Sequence, residues 1–166
     1  MNIRVGLGYD AHRLVKKRKL FLGGIEIAHT HGLLGHSDAD VILHAIVDAL
    51  LGAAGLCDIG TQFSNKDPRW KNADSKIFLK EISRIFKKDK ITILNLDATL
   101  LSEAPKIMPY IDEMKTVVSK TLGVPKSAVG IKASTNEGMG FVGKKQGMAA
   151  YAVALVQFNG KKGKKK

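Results

Sequence analysis

The segment 39–54, Ala-Asp-Val-Ile-Leu-His-Ala-Ile-Val-Asp-Ala-Leu-Leu-Gly-Ala-Ala, limits the possible folds more than any other part of the chain. It is dense in apolar helix formers and begins just after Ser37 and Asp38, either of which is a credible N-cap. The apolar run 41–56 is interrupted by His44 and Asp48, so it is too short and too polar to span a bilayer. Asp40, His44 and Asp48 stand at i, i+4 and i+8 and share one stripe of an otherwise apolar helix. A histidine so placed needs a partner, and Asp48 could accept its second ring N–H and fix its tautomer.

The upstream sequence decides what such a histidine is for. Residues 2–9 alternate enough to read as a strand, and on its continuation Asp10 and His12 project to the same side. All five histidines (His12, His29, His31, His36, His44) fall between residues 12 and 44, and none follows. Two imidazoles and a carboxylate form a ligand set used by catalytic zinc, with a fourth position left for water or a substrate oxygen. Taken alone, His44 reads as a buried histidine satisfied by an aspartate one turn away. With Asp10-x-His12 upstream, the metal reading of Asp10, His12 and His44 is stronger. His29-Thr30-His31 is the rival pair, but it lies in a Gly-flanked loop without a carboxylate of its own, as exposed loop histidines do.

At 166 residues the chain reads as one domain, able to bury about 70% of its unfolded surface without staples. Its single cysteine, Cys57, excludes an intramolecular disulfide and reads as a structural thiol. With no signal-peptide pattern at the N-terminus, the expected location is cytoplasmic. The net charge of +12 suggests nucleic acid until it is located. Four charges belong to Lys16-Lys17-Arg18-Lys19 and five to lysines after residue 160. Without those nine, 18 basic residues face 15 acidic ones, leaving a body at +3. The runs read as solvated charge that attracts polyanions weakly and draws in a multiply phosphorylated substrate; no nucleic-acid motif accompanies them.

Strands are expected near 2–9, 20–22 and 25–28, then a helix over 39–54 and a polar loop over 57–73 containing Gly60, Pro68 and Trp70. Asp74-Ser75 open a second helix whose apolar face is Ile77, Leu79, Ile82, Ile85 and Phe86. A strong strand follows at 91–101, a third helix from about 109 to 122 stopping at Gly123, and strands at 128–134 and 148–158 around a Gly-rich loop. This is a mixed α/β (α+β) layer pair without repeats or linkers. Residues 1–158 form the expected single catalytic domain, and 159–166 a disordered lysine-rich tail.

Two more segments suggest chemistry. Ser102-Glu103-Ala104-Pro105-Lys106-Ile107-Met108-Pro109 is a Pro-bracketed loop whose main-chain groups could read a flat base, with Lys106 near a phosphate; on spacing alone an ordinary strand-to-helix connection explains it better. The segment from Ala133 to Lys144 places hydroxyls, a carboxylate and three glycines at a strand end, suited to phosphate oxygens and a hard cation on Glu137; glycines in a turn are the alternative, and the Ser134-Thr135-x-Glu137 group favours function.

Asp10-x-His12, Gly32-Leu33-Leu34-Gly35-His36-Ser37-Asp38-x-Asp40, Asp58-Ile59-Gly60, Ala104-Pro105-Lys106, Ser134-Thr135-Asn136-Glu137-Gly138 and Gly147-Met148-Ala149-Ala150 occur in that order. Together they resemble the 2-C-methyl-D-erythritol 2,4-cyclodiphosphate synthase family of non-mevalonate isoprenoid biosynthesis, from residue 2 to about 158. With no second domain in the 166 residues, the fused cytidylyltransferase form of the family is not expected. The resemblance implies a ferredoxin-like subunit, a mixed sheet covered by helices, assembled as a homotrimer with active sites between neighbours.

By that resemblance zinc is held by Asp10, His12 and His44, and magnesium or manganese by Glu137. The substrate is a small cytidyl diphosphate, 4-diphosphocytidyl-2-C-methyl-D-erythritol 2-phosphate, which a phosphorus-oxygen lyase converts to the cyclic diphosphate and CMP. His36 and Thr135 are the implied catalytic pair. The implied substrate contacts are Asp10, Ala11, His12, His36, Ser37, Asp58, Ile59, Gly60, Phe63 and the run Ser64-Asn65-Lys66-Asp67. Those of the later segments are Ala104, Pro105, Lys106, Ile107, Met108, Ala133, Ser134, Thr135, Asn136, Glu137, Phe141 and Lys144. An isoprenoid diphosphate in the trimer's central cavity is a further implied partner; a specific nucleic acid and a membrane are not. Three positions depart from the family pattern: Ser64-Asn65 for Pro-Asp, Ser134 for threonine, and Lys144 with Lys145-Gln146 where arginine and then glutamate are usual. A phosphoesterase using the same triad and a non-enzymatic polyanion binder are the readings from other classes.

Overall fold

The computed structural model describes residues 2–63, 67, 70 and 73–160. Strand β1 (Ile3–Lys16) is longer than the expected 2–9, because the chain stays extended through Asp10 and His12 and keeps its alternation of exposed and covered residues. Hairpin β2 (Leu20–Leu22) and β3 (Ile25–Ile27) is separate. Strands β4 (His31–Leu33), β5 (Ile91–Leu101), β6 (Val129–Ser134) and β7 (Gly147–Phe158) join β1 in a five-stranded sheet of order β4-β1-β7-β5-β6. Among the described residues only β5 and β6 run parallel, and α4 (Ile111–Leu122) connects them. The β1–β7 ladder runs unbroken from Ile3↔Gln157 to Arg13↔Gly147.

The mixed sheet and its helices are as expected, but the long helices pack on one face only. The other face of β1 and β7 presents Val5, Leu7, Tyr9, Tyr151 and Val153 to solvent, with the Tyr9 and Tyr151 rings 4.8 Å apart. On the covered face lie α1 (Val41–Ala54) and α3 (Lys76–Lys88), whose side chains merge with the sheet into one apolar core. Helix α3 buries Phe78, Leu79, Ile82 and Phe86, whereas Ile77, expected on the apolar face, is 37% exposed. Two four-residue helices, α2 (Ile59–Gln62) and α5 (Gly140–Gly143), and the three-residue β4 are too short to leave a periodic signal. The expected third helix begins as a 3-10 turn at Met108–Tyr110 before α4. Among the described residues no helix is long and apolar enough to cross a membrane.

The N-cap of α1 is Asp40, not Ser37 or Asp38. Its Oδ1 accepts from the backbone of Ile42 and Leu43, and its two oxygens also take the N–H groups of Gly23 and Gly24 at 3.0 and 2.6 Å. One buried carboxylate thus ties the β2–β3 turn to the start of the helix. Burial and the nearby Asp38 push its pKa up to about 6 despite those donors.

Close helix–strand approach brings α1 and β1 together. A Cβ at Gly8 would lie 2.0 Å from the Ala45 carbonyl oxygen, and one at Gly6 2.0 Å from that of Ala49. The helix offers Ala45, Ala49 and Ala53 at that contact, so backbone meets backbone, and His44 on α1 can reach Asp10 on β1. Gly8→Ala forces the elements apart. It should cost about 3 kcal/mol or more and widen the gap at the site, read by denaturant unfolding and zinc retention.

The expected substrate contacts Ser64, Asn65 and Lys66, and tail residues 161–166, lie outside the described residues. Asn159, where the expected tail begins, donates from its backbone to Lys90 and from its side chain to Thr92.

Candidate functional site

Asp10 and His12 lie one residue apart on β1, on the same side of the strand, and α1 delivers His44 across from them. His12 Nε2 and His44 Nδ1 each approach Asp10 Oδ2 at 2.9 Å and stand 3.2 Å from one another. Among the described residues this is the only group of three or more metal-capable side chains. Tetrahedral zinc with bonds of about 2.0 Å sets its ligands about 3.3 Å apart, close to these separations.

The remaining ring nitrogens settle the tautomers. His12 Nδ1 lies 2.9 Å from the Leu34 carbonyl, which can only accept, so this nitrogen carries the proton. His44 Nε2 lies 2.9 Å from Ser75 Oγ and 3.2 Å from Ser37 Oγ. The Ser75 hydroxyl donates to Asp38, while Asp38 also accepts from the Ser75 backbone at 3.0 Å. The serine oxygen therefore accepts from His44 Nε2, leaving Nδ1 with a lone pair. Three lone-pair-bearing atoms so close repel one another unless a cation sits among them. With no cation among them the rings relieve this repulsion by taking up protons: burial raises the cost of the Asp10 charge, but hydrogen bonds and positive charge from the protonated His12 and His44 outweigh it and hold the carboxyl well below its usual range. Burial likewise opposes a charged His12, and Asp10 overcomes it, raising the imidazole pKa. The site draws positive charge.

This arrangement corrects one expectation. Asp48 does not touch His44; it accepts from the Ile59 backbone at 2.8 Å and holds the start of α2. The partner of His44 is Ser75, fully buried at the start of α3. Ser75→Ala should weaken zinc binding by about ten- to a hundredfold in chelator competition.

The triad opens into a cavity of about 250 Å³ shared with His36, Ser37, Ile59, Gly60, Phe63, Trp70 and Phe78. His36 is exposed, and Ser37 is buried. Asp58, exposed, caps α2 by accepting from Thr61 N at 2.7 Å, and that hydrogen bond lowers its pKa. Phe63 is buried against Trp70 and Phe78, ring centroids 5.5 and 4.9 Å away. Asp67 is half-buried.

A second cavity of about 240 Å³ lies between the β5–α4 connection and the end of β6. Pro105, Lys106, Ile107 and Met108 line it on one side, and Ala133, Ser134 and Thr135 on the other. Ala104 lines a neighbouring cavity with Ser102 and Glu103. Thr135 Oγ1 donates to Glu137 Oε1 at 2.5 Å, and the Asn136 backbone donates to Glu103 at 2.9 Å. Glu137 is exposed in a left-handed conformation and offers a single carboxylate. Ala11 and Phe141 line a third cavity with His12, and Lys144 is exposed at the end of α5. The triad cavity and the second cavity share no lining residue.

The rival His29 and His31 rings stand 6.0 Å apart, and their Nδ1 atoms are occupied locally by the His31 carbonyl and Thr30. His31 belongs to β4 rather than to a loop.

The family model described as the YgbB family matches residues 3–157. The chain belongs to this family. A relative from Cytophaga hutchinsonii, named 2-C-methyl-D-erythritol 2,4-cyclodiphosphate synthase, is 51% identical over 156 residues, covering 94% of this chain and 98% of its own. A synthase of the same name from Desulfatibacillum aliphaticivorans is 54% identical over 155 residues, covering 93% and 100%. The CDP complex of IspF from Plasmodium falciparum superposes with a TM-score of 0.83 at 33% identity, covering 96% of this chain and 98% of that one. The bifunctional IspDF of Campylobacter jejuni gives 0.86 at 34% identity, where 95% of this chain matches and spans 42% of the longer protein.

Sequence reasoning missed Ser75, Trp70 and Phe78 at this site. Ser75 read as a helix opener, and nothing in its neighbourhood links it to a residue 31 positions earlier. The signal available was composition: Phe63, Trp70 and Phe78 are three of the chain's ten Phe, Trp and Tyr residues and bracket an otherwise polar loop.

Proposed function

We propose that this protein closes the ring of 2-C-methyl-D-erythritol 2,4-cyclodiphosphate from its cytidyl diphosphate precursor, releasing CMP. Support comes from family membership over residues 3–157. The observation that carries the chemistry is the convergence of Asp10 Oδ2, His12 Nε2 and His44 Nδ1 within 3.2 Å beside an open cavity. An oxygen of the 2-phosphate attacks the β-phosphorus; the bond from that phosphorus to the bridging oxygen breaks, and its electron pair leaves on CMP. The nucleophile is already an anion, so the protein supplies position and charge neutralisation rather than a base. Zinc on the triad and magnesium or manganese on Glu137, held with substrate phosphates, would neutralise the diphosphate oxygens.

In this reading Asp58, Ile59 and Gly60 present the α2 end to the methylerythritol portion, and Phe63 packs beside it. Ser64, Asn65, Lys66 and Asp67 belong to this reading as further contacts of the same substrate portion, by the family resemblance. The cytidine occupies the second cavity, where Ala104 to Met108 face Ala133 and Ser134 and Lys106 meets a phosphate. His36 donates a hydrogen bond to a phosphate oxygen. The Thr135 proton is engaged by Glu137, and it becomes free for a phosphate oxygen when Glu137 turns to a cation. Residues 1–158 act as one catalytic unit, with 159–166 an appendage. The separation of the two cavities in one chain supports a reading in which the active unit is a homotrimer whose sites join the triad of one subunit to the Thr135 cavity of the next. The uncovered apolar face of β1 and β7 supports such an assembly, around an axis where Lys144 meets an isoprenoid diphosphate.

Incubation with the cytidyl substrate, zinc and magnesium should release CMP and give a product whose mass is that of the cyclic diphosphate. A linear diphosphate would instead indicate a phosphoesterase using water. Glu137→Gln keeps shape but loses charge: zinc content should be unchanged while turnover drops about a hundredfold or more. Unaltered turnover would remove Glu137 from the mechanism.

A further inference from the structure

The run Lys16-Lys17-Arg18-Lys19 reads from sequence as solvated charge, and three of its members behave so. Lys16 and Lys17 are exposed, and Lys19 pairs with Glu26 on the surface at 2.8 Å. Arg18 is different. It is half-buried, and its guanidinium turns back onto the loop between β4 and α1. One terminal nitrogen donates to the Gly35 carbonyl at 3.1 Å and the other to the Ser37 carbonyl at 2.7 Å. The two carbonyls belong to the residues on either side of His36, so one planar fork spans that residue.

The same loop orients both metal imidazoles. Leu34, next to Gly35, supplies the carbonyl that takes the His12 Nδ1 proton, and the Ser37 hydroxyl lies 3.2 Å from His44 Nε2. A Cβ on Gly35 would lie 3.2 Å from His12 Cε1, which shows how tightly the loop lies against that ring. The position of Arg18 is itself built in. Lys17 adopts φ 63° in the β1–β2 turn, and the Arg18–Lys19 backbone runs so close to Gly32 that a Cβ there would be 2.1 Å from the Lys19 oxygen.

We propose that Arg18 is a positioning residue of the metal centre: its two-point hold on Gly35 and Ser37 fixes the loop that orients His12, His44 and His36. Lysine cannot replace it fully, since one ammonium cannot span both carbonyls as a rigid fork does. The inference rests on the metal reading of Asp10, His12 and His44.

The test compares Arg18→Gln, Arg18→Lys and Lys17→Gln, the last removing equal charge from the same turn without touching the loop. Zinc dissociation constants come from chelator competition, kcat and KM from CMP release. For Arg18→Gln the zinc constant should rise about ten- to a hundredfold, the range for lost supporting contacts. Its kcat should fall more than KM rises, because the cytidine cavity is not touched. Arg18→Lys should lie between, and Lys17→Gln should match the parent. In the parent protein the Arg18 guanidinium protons should give separate, slowly exchanging NMR signals, as a clamped fork does. Arg18→Gln and Lys17→Gln with equal zinc constants and equal kcat would overturn the role. So would averaged guanidinium signals in the parent, which decides the matter even if Arg18→Gln fails to fold. A parent that binds no zinc would sink the metal reading itself, a different failure.

Discussion

His44→Ala protein should bind no zinc and lose turnover by about three orders of magnitude or more, equivalent to about 4 kcal/mol of transition-state stabilisation. The size follows from what the ring does. Its Nδ1 is one of three donors, and its Nε2 is held by Ser75, so alanine removes a ligand and leaves a buried serine without its imidazole. Two donors, Asp10 and His12, would remain, too few for a zinc site at micromolar metal. His29→Ala and His31→Ala should keep full zinc content, since their rings bond locally and, among the described residues, belong to no metal-capable group of three. Metal content by mass spectrometry of the folded variants decides between the clusters. Acid should have a graded version of the same effect. The His12 pKa is raised in the metal-free site, so protons compete for its ring from a higher pH than at an ordinary histidine, and apparent zinc affinity should begin to weaken as pH falls through that raised value.

The triad was legible because its geometry is local or periodic: a two-residue strand repeat places Asp10 beside His12, and a buried helix carrying one histidine needs a reason. What could not be read was which neighbour completes each ring. The stripe of Asp40, His44 and Asp48 follows from helical spacing, yet the fold uses its three members separately. Asp40 caps the helix, His44 turns to the strand, and Asp48 anchors α2. The contact with Ser75 depends on how α3 docks, which no local pattern carries. The charge arithmetic had a similar limit. Counting showed that the body is nearly neutral but could not distinguish Arg18, whose place follows from the bare backbone at Gly32, from the lysines around it. The long strands were found where alternation ran over several residues and the short β2 and β3 where apolar residues alternate around the Gly23-Gly24 turn, whereas β4, α2 and α5, without such a pattern, were lost.

The second large expected effect is recovery of activity from two inactive proteins. His12→Ala removes a zinc ligand, and Thr135→Ala removes a hydroxyl from the other cavity, so each alone should be inactive or nearly so. The two residues line cavities with no residue in common, and the apolar side of β1 and β7 is uncovered. Both observations are accounted for if subunits close head-to-tail into a ring and each site joins two of them. In a ring of three, every mixed trimer then has one junction that pairs an intact triad with an intact Thr135 cavity. Random mixing of equal amounts makes about three-quarters of the rings mixed, with one of three sites restored in each, so about a quarter of parental turnover should return. Sedimentation should show a species near three times 18.0 kDa for the parent and for each variant. A mixed trimer, verified by differential tagging, that recovers no activity would mean each site is built within one chain. A monomeric parent with full activity would refute the ring directly. Intermediate recovery has its own reading: if exchange between trimers is slow, the fraction restored should rise after co-expression or refolding from a mixture, while the activity per restored site stays constant.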